Sequence, residues 1–168
     1  RYGVSSTIVD GFNLDEWRAA MRPNTKTCFL ETPTNPNLEV LDIAGIAEIA
    51  HAAGATLVVD NVFSTPLWQS PLTLGADVVI YSATKHIDGQ GRCLGGVVLS
   101  TKKWIDENLH DYFRHTGPSL SREEGRDAAH APHEDEEGAE PIFPPALRTP
   151  RGEERRFSAP AGVTWRFR

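Results

Sequence analysis

The stretch ATLVVDNVFSTPLWQSPLTLGADVVIYSATKHIDGQGR, residues 55–92, decides the fold that we predict for this chain. Its apolar runs at residues 55–60 and 77–81 have the length and continuity of strands that are buried on both faces. The first run ends in Asp60, and Ser82, Thr84 and Lys85 follow the second. Polar side chains therefore come directly after each strand.

The segments on either side of this stretch carry the same kind of signal. Residues 27–31 predict a short strand, and residues 42–54 predict a helix between a capping Asp and a terminating Gly. A strand at residues 96–100 precedes a predicted helix from about residue 101 to 110. Strands that alternate with helices predict an α/β fold with a mostly parallel sheet, whose strands gather ligand groups at their carboxyl ends.

Three strand ends are expected to meet at one edge of this sheet. They would bring together residues 31–35, Asp60, and the trio Ser82, Thr84 and Lys85. A lysine in such a site can act as nucleophile or base, and hydroxyl groups can hold a phosphate. Pyridoxal phosphate needs these groups, because its aldehyde takes a lysine, its ring nitrogen a carboxylate, and its phosphate short donors.

Composition limits the class of partner and the compartment. The net charge of -6 argues against nucleic acid, since neutralising phosphates requires an excess of Lys and Arg. No apolar stretch approaches the roughly 20 residues of a membrane span. Cys28 and Cys93 lack metal-ligand spacing, so we expect no metal site and reduced thiols in a cytoplasmic protein. Because the first residue is not Met, we expect the chain to begin inside a longer gene product.

The composition changes abruptly near Ser121. All four lysines lie at or before Lys103, whereas residues 122–168 hold eight of the 13 arginines and six of the 12 prolines. This segment has no sustained apolar period and few aliphatic residues, so we predict that it is disordered. We divide the chain into residues 1–121, a partial cofactor-binding domain, and residues 122–168, a low-complexity tail. We hypothesise that the tail is a frameshifted or misassembled reading of the gene.

Residues 31–92 resemble the pyridoxal-phosphate enzymes of cysteine and methionine metabolism, a family of cystathionine synthases and lyases, methionine lyases and homoserine sulfhydrylases. The family's signatures occur in order: Glu-x-Pro-x-Asn-Pro at 31–36, Val-Asp-Asn at 59–61, Leu-Gly-Ala-Asp at 74–77 and Ser-x-Thr-Lys at 82–85. The resemblance implies part of the large domain of a fold-type I, aspartate aminotransferase-like transferase. An aminotransferase-like activity is disfavoured, because the motifs match the sulfur family in detail.

The resemblance also implies a role for each candidate site residue. Lys85 would be the Schiff-base lysine and proton shuttle, and Asp60 would pair with the pyridinium nitrogen. Ser82 and Thr84 would hold the phosphate, and Asn35 would lie near the cofactor's phenolic oxygen or the substrate carboxylate. Plainer interpretations stand beside these, because such hydroxyls often bond their own turn and Asn35 can serve its Asn-Pro turn.

The residues after the lysine indicate a branch of the family. Most members resemble Lys-Tyr-x-x-Gly-His-Ser-Asp, whereas residues 85–92 read Lys-His-Ile-Asp-Gly-Gln-Gly-Arg, similar to O-succinylhomoserine sulfhydrylases. That branch implies γ-replacement, in which an acyloxy group leaves and sulfide adds to give homocysteine. His86 stands at the usual tyrosine and Val62 at a frequently polar position, so O-acetylhomoserine, cystathionine γ-synthase and γ-lyase chemistry remain alternatives. The glycines of this turn predict backbone turning rather than a nucleotide loop.

The resemblance covers residues 1–121 of a family whose members are considerably longer. It implies that an upstream phosphate loop with a ring-stacking tyrosine, a Tyr-x-Arg segment from a neighbouring subunit and a carboxyl-terminal domain are absent here. A truncated, catalytically inactive fragment that keeps part of the cofactor site is therefore the competing hypothesis. For the full-length family the resemblance implies a homotetramer with shared sites.

Overall fold

The computed structural model describes residues 2–92 and 94–117 of the chain. Its elements are α1 (Leu14–Ala20), β1 (Thr27–Glu31), α2 (Ile43–Ala52), β2 (Thr56–Asp60), α3 (Thr65–Trp68), β3 (Val78–Ser82), β4 (Gly96–Ser100), α4 (Lys102–Asn108) and α5 (His110–Thr116). A 3-10 turn precedes β3, and a π-helical turn at Ala83–Ile87, the lysine turn, follows it. The predicted tail at 122–168 and the predicted thiol of Cys93 lie outside the described residues.

The four strands form one sheet in the order β1-β2-β3-β4. β1 pairs with β2, and β2 with β3, in parallel, whereas β4 runs antiparallel to β3. The sheet is therefore mostly parallel, as predicted, with one antiparallel strand. The chain turns back after β3 through Gly89 and Gly91, whose φ angles of 68° and 69° are left-handed, so no crossover forms. This result confirms the backbone-turning role of these glycines.

The main core lies between α2 and one face of the sheet. Alternate strand residues point toward α2 and are buried, and they include Leu57 and Val59, both 0% exposed. The opposite face is less covered, with Phe29 57% exposed and Val58 half-buried. The expectation of burial on both faces holds for β3, where the neighbours Val78 and Val79 are both buried, and fails for β2, whose outer residues are half-buried.

The helices largely follow their predicted boundaries. α2 begins after Asp42, whose carboxylate accepts a hydrogen bond from the Gly45 N–H at 3.0 Å, and the chain leaves it through Gly54 at a φ of 68°. The helix expected from about residue 101 to 110 is α4, and α5 follows it as a separate, unpredicted helix because Leu109 leaves the helical conformation. No helix within the described ranges is long and apolar enough to cross a membrane.

Candidate active site

The polar residues gather at one edge of the sheet, which we call the carboxyl edge. It comprises the last residues of β1, β2 and β3 and, because β4 is antiparallel, the first residue of β4. Asp60 lies opposite Glu31 on one side and Ile80 on the other, and Ser82 lies opposite Gly96. The lysine turn leaves the sheet from this edge. The predicted convergence of three strand ends is therefore confirmed.

Lys85 lies inside the lysine turn with its side chain exposed. Its backbone, with φ of -90° and ψ of -121°, is not helical, so the turn bends at this residue. Two hydrogen bonds hold the bend, from the Asp88 N–H to the Ala83 carbonyl at 3.0 Å and from the Gly89 N–H to the Lys85 carbonyl at 2.8 Å. The backbone of Lys85 is thus fixed, while its amine reaches the solvent.

Asp60 ends β2, one strand away from the strand that leads to Lys85. Its side chain is half-buried, and Oδ1 accepts a hydrogen bond from the Val62 N–H at 3.0 Å. This bond within the turn fixes the plane of the carboxylate. Asp60 can therefore accept a further hydrogen bond from a donor at the carboxyl edge.

Ser82 and Thr84 flank the start of the lysine turn and are both half-buried. The hydroxyl oxygen of Thr84 accepts a hydrogen bond from the Gly95 N–H at 3.4 Å, and the Ala83 N–H donates to the Gly95 carbonyl at 2.9 Å. Thr84 thus bonds its own loop, as the plainer interpretation expects. A hydroxyl that accepts in this way keeps its proton, so Thr84 can still donate to a phosphate oxygen.

Asn35 lies in the exposed loop after β1. Its backbone N–H donates to Glu31 Oε2 at 3.1 Å, and its peptide bond to Pro36 is cis. Because Glu31 is the register partner of Asp60, Asn35 lies on the β1 side of the carboxyl edge. These contacts support the turn interpretation of Asn35, and its role toward a cofactor or substrate stays a prediction.

Behind the exposed groups lies a buried amide network that sequence reasoning did not find. Asn61 is 0% exposed, and its Nδ2 donates to the Tyr81 hydroxyl at 2.8 Å, the Gln69 carbonyl at 3.0 Å and the Thr65 carbonyl at 3.2 Å. Gln69 Nε2 donates to Asn61 Oδ1 at 2.7 Å and to the Thr32 carbonyl at 3.0 Å. The network joins the ends of β1, β2 and β3. Its only sequence signal was the Asn of the Val-Asp-Asn signature.

His86, within the lysine turn, packs against Tyr81. The two rings meet edge to face with centroids 5.6 Å apart, and both ring nitrogens of His86 are buried without a hydrogen-bond partner among the described residues. Burial lowers the pKa of His86, so its ring is neutral at pH 7. Burial likewise raises the pKa of the Tyr81 hydroxyl, which the hydrogen bond with Asn61 opposes. His86 is therefore not a solvated side chain.

Comparison with known proteins agrees with this geometry. The family described as Cys/Met metabolism PLP-dependent enzyme matches residues 1–125. An O-succinylhomoserine sulfhydrylase of Mycobacterium tuberculosis H37Rv is 52% identical over 121 residues, which are 72% of this chain and 30% of that protein. A cystathionine gamma-lyase of Bacillus subtilis is 48% identical over 120 residues, or 71% of this chain and 32% of that protein.

Among solved structures, the crystal structure of metB from Corynebacterium glutamicum matches with a TM-score of 0.70 and 40% identity. The match covers 73% of this chain and 32% of that one. The chain belongs to the family of pyridoxal-phosphate-dependent enzymes of cysteine and methionine metabolism. It has the α/β fold of their cofactor-binding domain and spans about a third of the length of these relatives.

Pyridoxal phosphate is the cofactor of this family, and the donor set at the carboxyl edge fits it. An exposed primary amine, a half-buried carboxylate on the neighbouring strand and two half-buried hydroxyls lie at one edge of the sheet. These are the partners that an aldehyde, a ring nitrogen and a phosphate require. The residues that would hold the cofactor are Lys85, Asp60, Ser82 and Thr84.

Proposed function

We propose that the chain is part of an O-succinylhomoserine sulfhydrylase, which replaces the acyloxy group of O-succinylhomoserine by sulfide to give homocysteine. The observation that carries this proposal is the lysine turn, which presents Lys85 one strand away from Asp60. The residues 85–92 after the lysine are similar to those of this branch, and a relative at 52% identity bears its name. The finer substrate choice, O-succinylhomoserine rather than O-acetylhomoserine, rests on these two similarities.

Each residue of the site has a separate task in this proposal. Lys85 would form the covalent link to the aldehyde of the cofactor and, once released, would move protons between carbon atoms of the substrate. Asp60 would hold the protonated ring nitrogen. Ser82 and Thr84 would hold the phosphate. When bound, the cofactor supplies an electron sink for the negative charge that develops on the substrate carbon.

The position of Asp60 explains why a carboxylate is needed there. A negative charge beside the ring nitrogen favours the protonated form of the ring, and this form withdraws electrons from the reacting carbon. The Val62 N–H fixes the carboxylate before any ligand arrives, so little reorganisation is needed. Lys85, whose side chain is exposed, keeps the freedom to bond the cofactor and afterwards to swing toward the substrate.

Elimination is the second candidate function, and the relative named cystathionine gamma-lyase at 48% identity favours it. Replacement and elimination begin with the same proton transfers by Lys85 and differ in whether a second substrate adds. For the whole protein we propose a homotetramer, as the resemblance implies. A catalytically inactive piece that keeps cofactor binding is the competing proposal for this chain.

The first experiment tests the site. The purified chain is mixed with pyridoxal phosphate, and the imine is followed by its absorbance at the edge of the visible range and by borohydride trapping with peptide mass mapping. We expect a trapped adduct on Lys85 that disappears in Lys85→Ala. Lys102→Ala, which removes an exposed lysine of α4, is the matched control and should keep the adduct. No adduct, or an adduct that survives Lys85→Ala, would refute the site.

The second experiment separates the candidate reactions. Homocysteine is measured with O-succinylhomoserine or O-acetylhomoserine plus sulfide, and ammonia release is measured with cystathionine. The sulfhydrylase proposal expects homocysteine, preferentially from the succinyl donor. Ammonia from cystathionine without homocysteine would favour the lyase instead. We expect slow turnover from this chain alone, because it spans 30% of the related sulfhydrylase, and adduct formation without turnover would identify the inactive piece.

A further inference from the structure

A carboxylate that the proposed chemistry does not use lies just behind Lys85. Asp88 is 0% exposed, and it accepts hydrogen bonds from the backbone N–H of Arg92 and, through Oδ1, from Arg92 Nε at 3.3 Å. Arg92 Nη2 lies 3.3 Å from the same oxygen, and the Arg92 side chain is 38% exposed. A fully buried carboxylate thus faces a half-exposed cation four residues further along the chain.

This pair closes the loop that carries Lys85. The backbone N–H of Asp88 donates to the Ala83 carbonyl, and the next residue, Gly89, donates to the Lys85 carbonyl. Gly89 and Gly91 then take left-handed φ angles of 68° and 69°, which lets the chain fold back and bring Arg92 onto Asp88. Asp88 therefore touches both halves of the loop, the half that contains Lys85 and the half that ends at Arg92.

Burial makes this pairing a constraint on the backbone. A buried carboxylate is strongly disfavoured unless a cation and N–H donors compensate it. Any loop conformation that draws Arg92 away removes the guanidinium from a carboxylate that is 0% exposed. Conformations that keep the pair also keep the bend at Lys85, because the Asp88 N–H is bonded to Ala83 within the same turn. The Asp88–Arg92 pair and the bend at Lys85 are therefore kept or lost together.

We propose that Asp88 and Arg92 form a clamp that fixes the direction in which Lys85 leaves the sheet, with Asp88 as a positioning residue. The proposal rests on the proposed role of Lys85 toward pyridoxal phosphate and adds a device that sets the geometry of that lysine. The family pattern quoted above has Asp where this chain has Arg92. A chain with that pattern has no guanidinium at this position and cannot form the same pair.

The clamp is tested by Asp88→Asn and Arg92→Gln, with Asp15→Asn as the matched control. Asp15 also pairs with an arginine, Arg18 at 2.7 Å, but its side chain is 90% exposed. The first readout is the rate of trypsin cleavage after Lys85, which needs no cofactor. We expect cleavage to accelerate at least about tenfold in both clamp variants, because loss of a buried partner opens the loop. Asp15→Asn should cleave at the parental rate.

The second readout is the rate of adduct formation between Lys85 and pyridoxal phosphate, with circular dichroism as the check on folding. We expect a slower rate in both clamp variants. Arg92→Gln should have the larger effect, since it leaves a buried charge, whereas Asp88→Asn leaves a half-exposed cation that water can solvate. Arg92→Lys keeps the charge and should recover most of the parental resistance to trypsin and most of the adduct rate.

Cleavage and adduct rates within about twofold of the parent in Asp88→Asn and Arg92→Gln would overturn the clamp. If trypsin cleaved Arg92→Lys after Lys85 as fast as Arg92→Gln, the clamp would also be overturned, because a lysine should replace the arginine of a charge pair at least in part. A parent chain that forms no adduct on Lys85 would instead refute the proposed function. In that case the trypsin comparison, which involves no cofactor, still decides whether the clamp exists.

Discussion

The two edges of the sheet use aspartate in opposite ways. The edge at which β1, β2 and β3 begin, the amino edge, contains Asp77, which precedes β3. Asp77 Oδ2 accepts a hydrogen bond from the Leu57 N–H at 2.7 Å and lies 3.0 Å from His51 Nε2. The backbone carbonyl of Asp77 accepts the Ser100 hydroxyl at 2.6 Å. This aspartate joins α2, β2, β3 and β4. At the carboxyl edge, Asp60 is fixed by a bond within its own turn and lies beside the turn that presents Lys85.

With the proposed site, one sheet carries its structural polar contacts at one edge and its ligand-binding groups at the other. Polar groups at the amino edge bond one another across elements, so they hold the fold and have little capacity left for a ligand. The outer groups of the carboxyl edge bond locally and keep their amine, carboxylate and hydroxyls toward the solvent. Beneath them, the buried Asn61 network joins the strand ends. It holds the elements together at the carboxyl edge, as Asp77 does at the amino edge.

Asn61→Ala should destabilise the chain most, by about 3 kcal/mol. The substitution leaves a cavity and removes the partner of the Tyr81 hydroxyl and of Gln69 in a buried site. Urea unfolding followed by circular dichroism measures the change. Asn108→Ala, which removes an exposed amide that donates to the Trp104 carbonyl, is the control and should shift the free energy by less than about 0.5 kcal/mol. Equal effects of the two substitutions would contradict a structural role of the network.

Asp77→Ala should destabilise the chain by about 2 kcal/mol, because it removes the acceptor of the part-buried Leu57 N–H and the partner of His51. Asp111→Ala, at a side chain that is 86% exposed, is the control for loss of a carboxylate. The same unfolding assay measures both. Asp60→Ala is measured in parallel. If it destabilises the chain more than Asp77→Ala does, the claim that the amino-edge aspartate is the structural one is contradicted.

A smaller effect, confined to acid pH, is expected from His86. Burial lowers its pKa in the folded chain below the value of 6.5 expected in the unfolded chain. Below about pH 6.5 the unfolded state therefore binds the proton more readily, and stability falls as the pH drops toward the folded pKa. His86→Phe removes this contribution, so its stability relative to the parent should rise on acidification and stay constant above pH 7. A difference that is independent of pH would show that His86 titrates alike in both states.

Lys85→Ala should change the unfolding free energy least, by less than about 0.5 kcal/mol, because its side chain is exposed. The same substitution is expected to abolish the cofactor adduct completely. This combination, full loss of chemistry without loss of stability, is the clearest sign that the outer groups of the carboxyl edge do not hold the fold. A large loss of stability in Lys85→Ala would show that the edge serves structure as well.

Much of the fold could be predicted because its signals are local. Continuous apolar runs gave the strands at 27–31 and 96–100 with the bounds that the structure shows, and capping residues gave α2. A mostly parallel sheet was predicted correctly, but the alternation of elements did not reveal that β4 is the antiparallel strand. The helix α5, which begins where the predicted helix ends, was not predicted.

The four strands, the helices α2 and α4, the resemblance to the family and the order of Asp60, Ser82, Thr84 and Lys85 could be read from residue type and short spacing. The helices α1, α3 and α5 were not predicted. Only the tertiary structure decided that Asn61 is a buried junction, that His86 packs on Tyr81, and that the carboxyl edge includes the start of β4. Those features depend on contacts between residues distant in the chain. Burial and pairing of polar groups follow from such contacts, and no local pattern of residues specifies them.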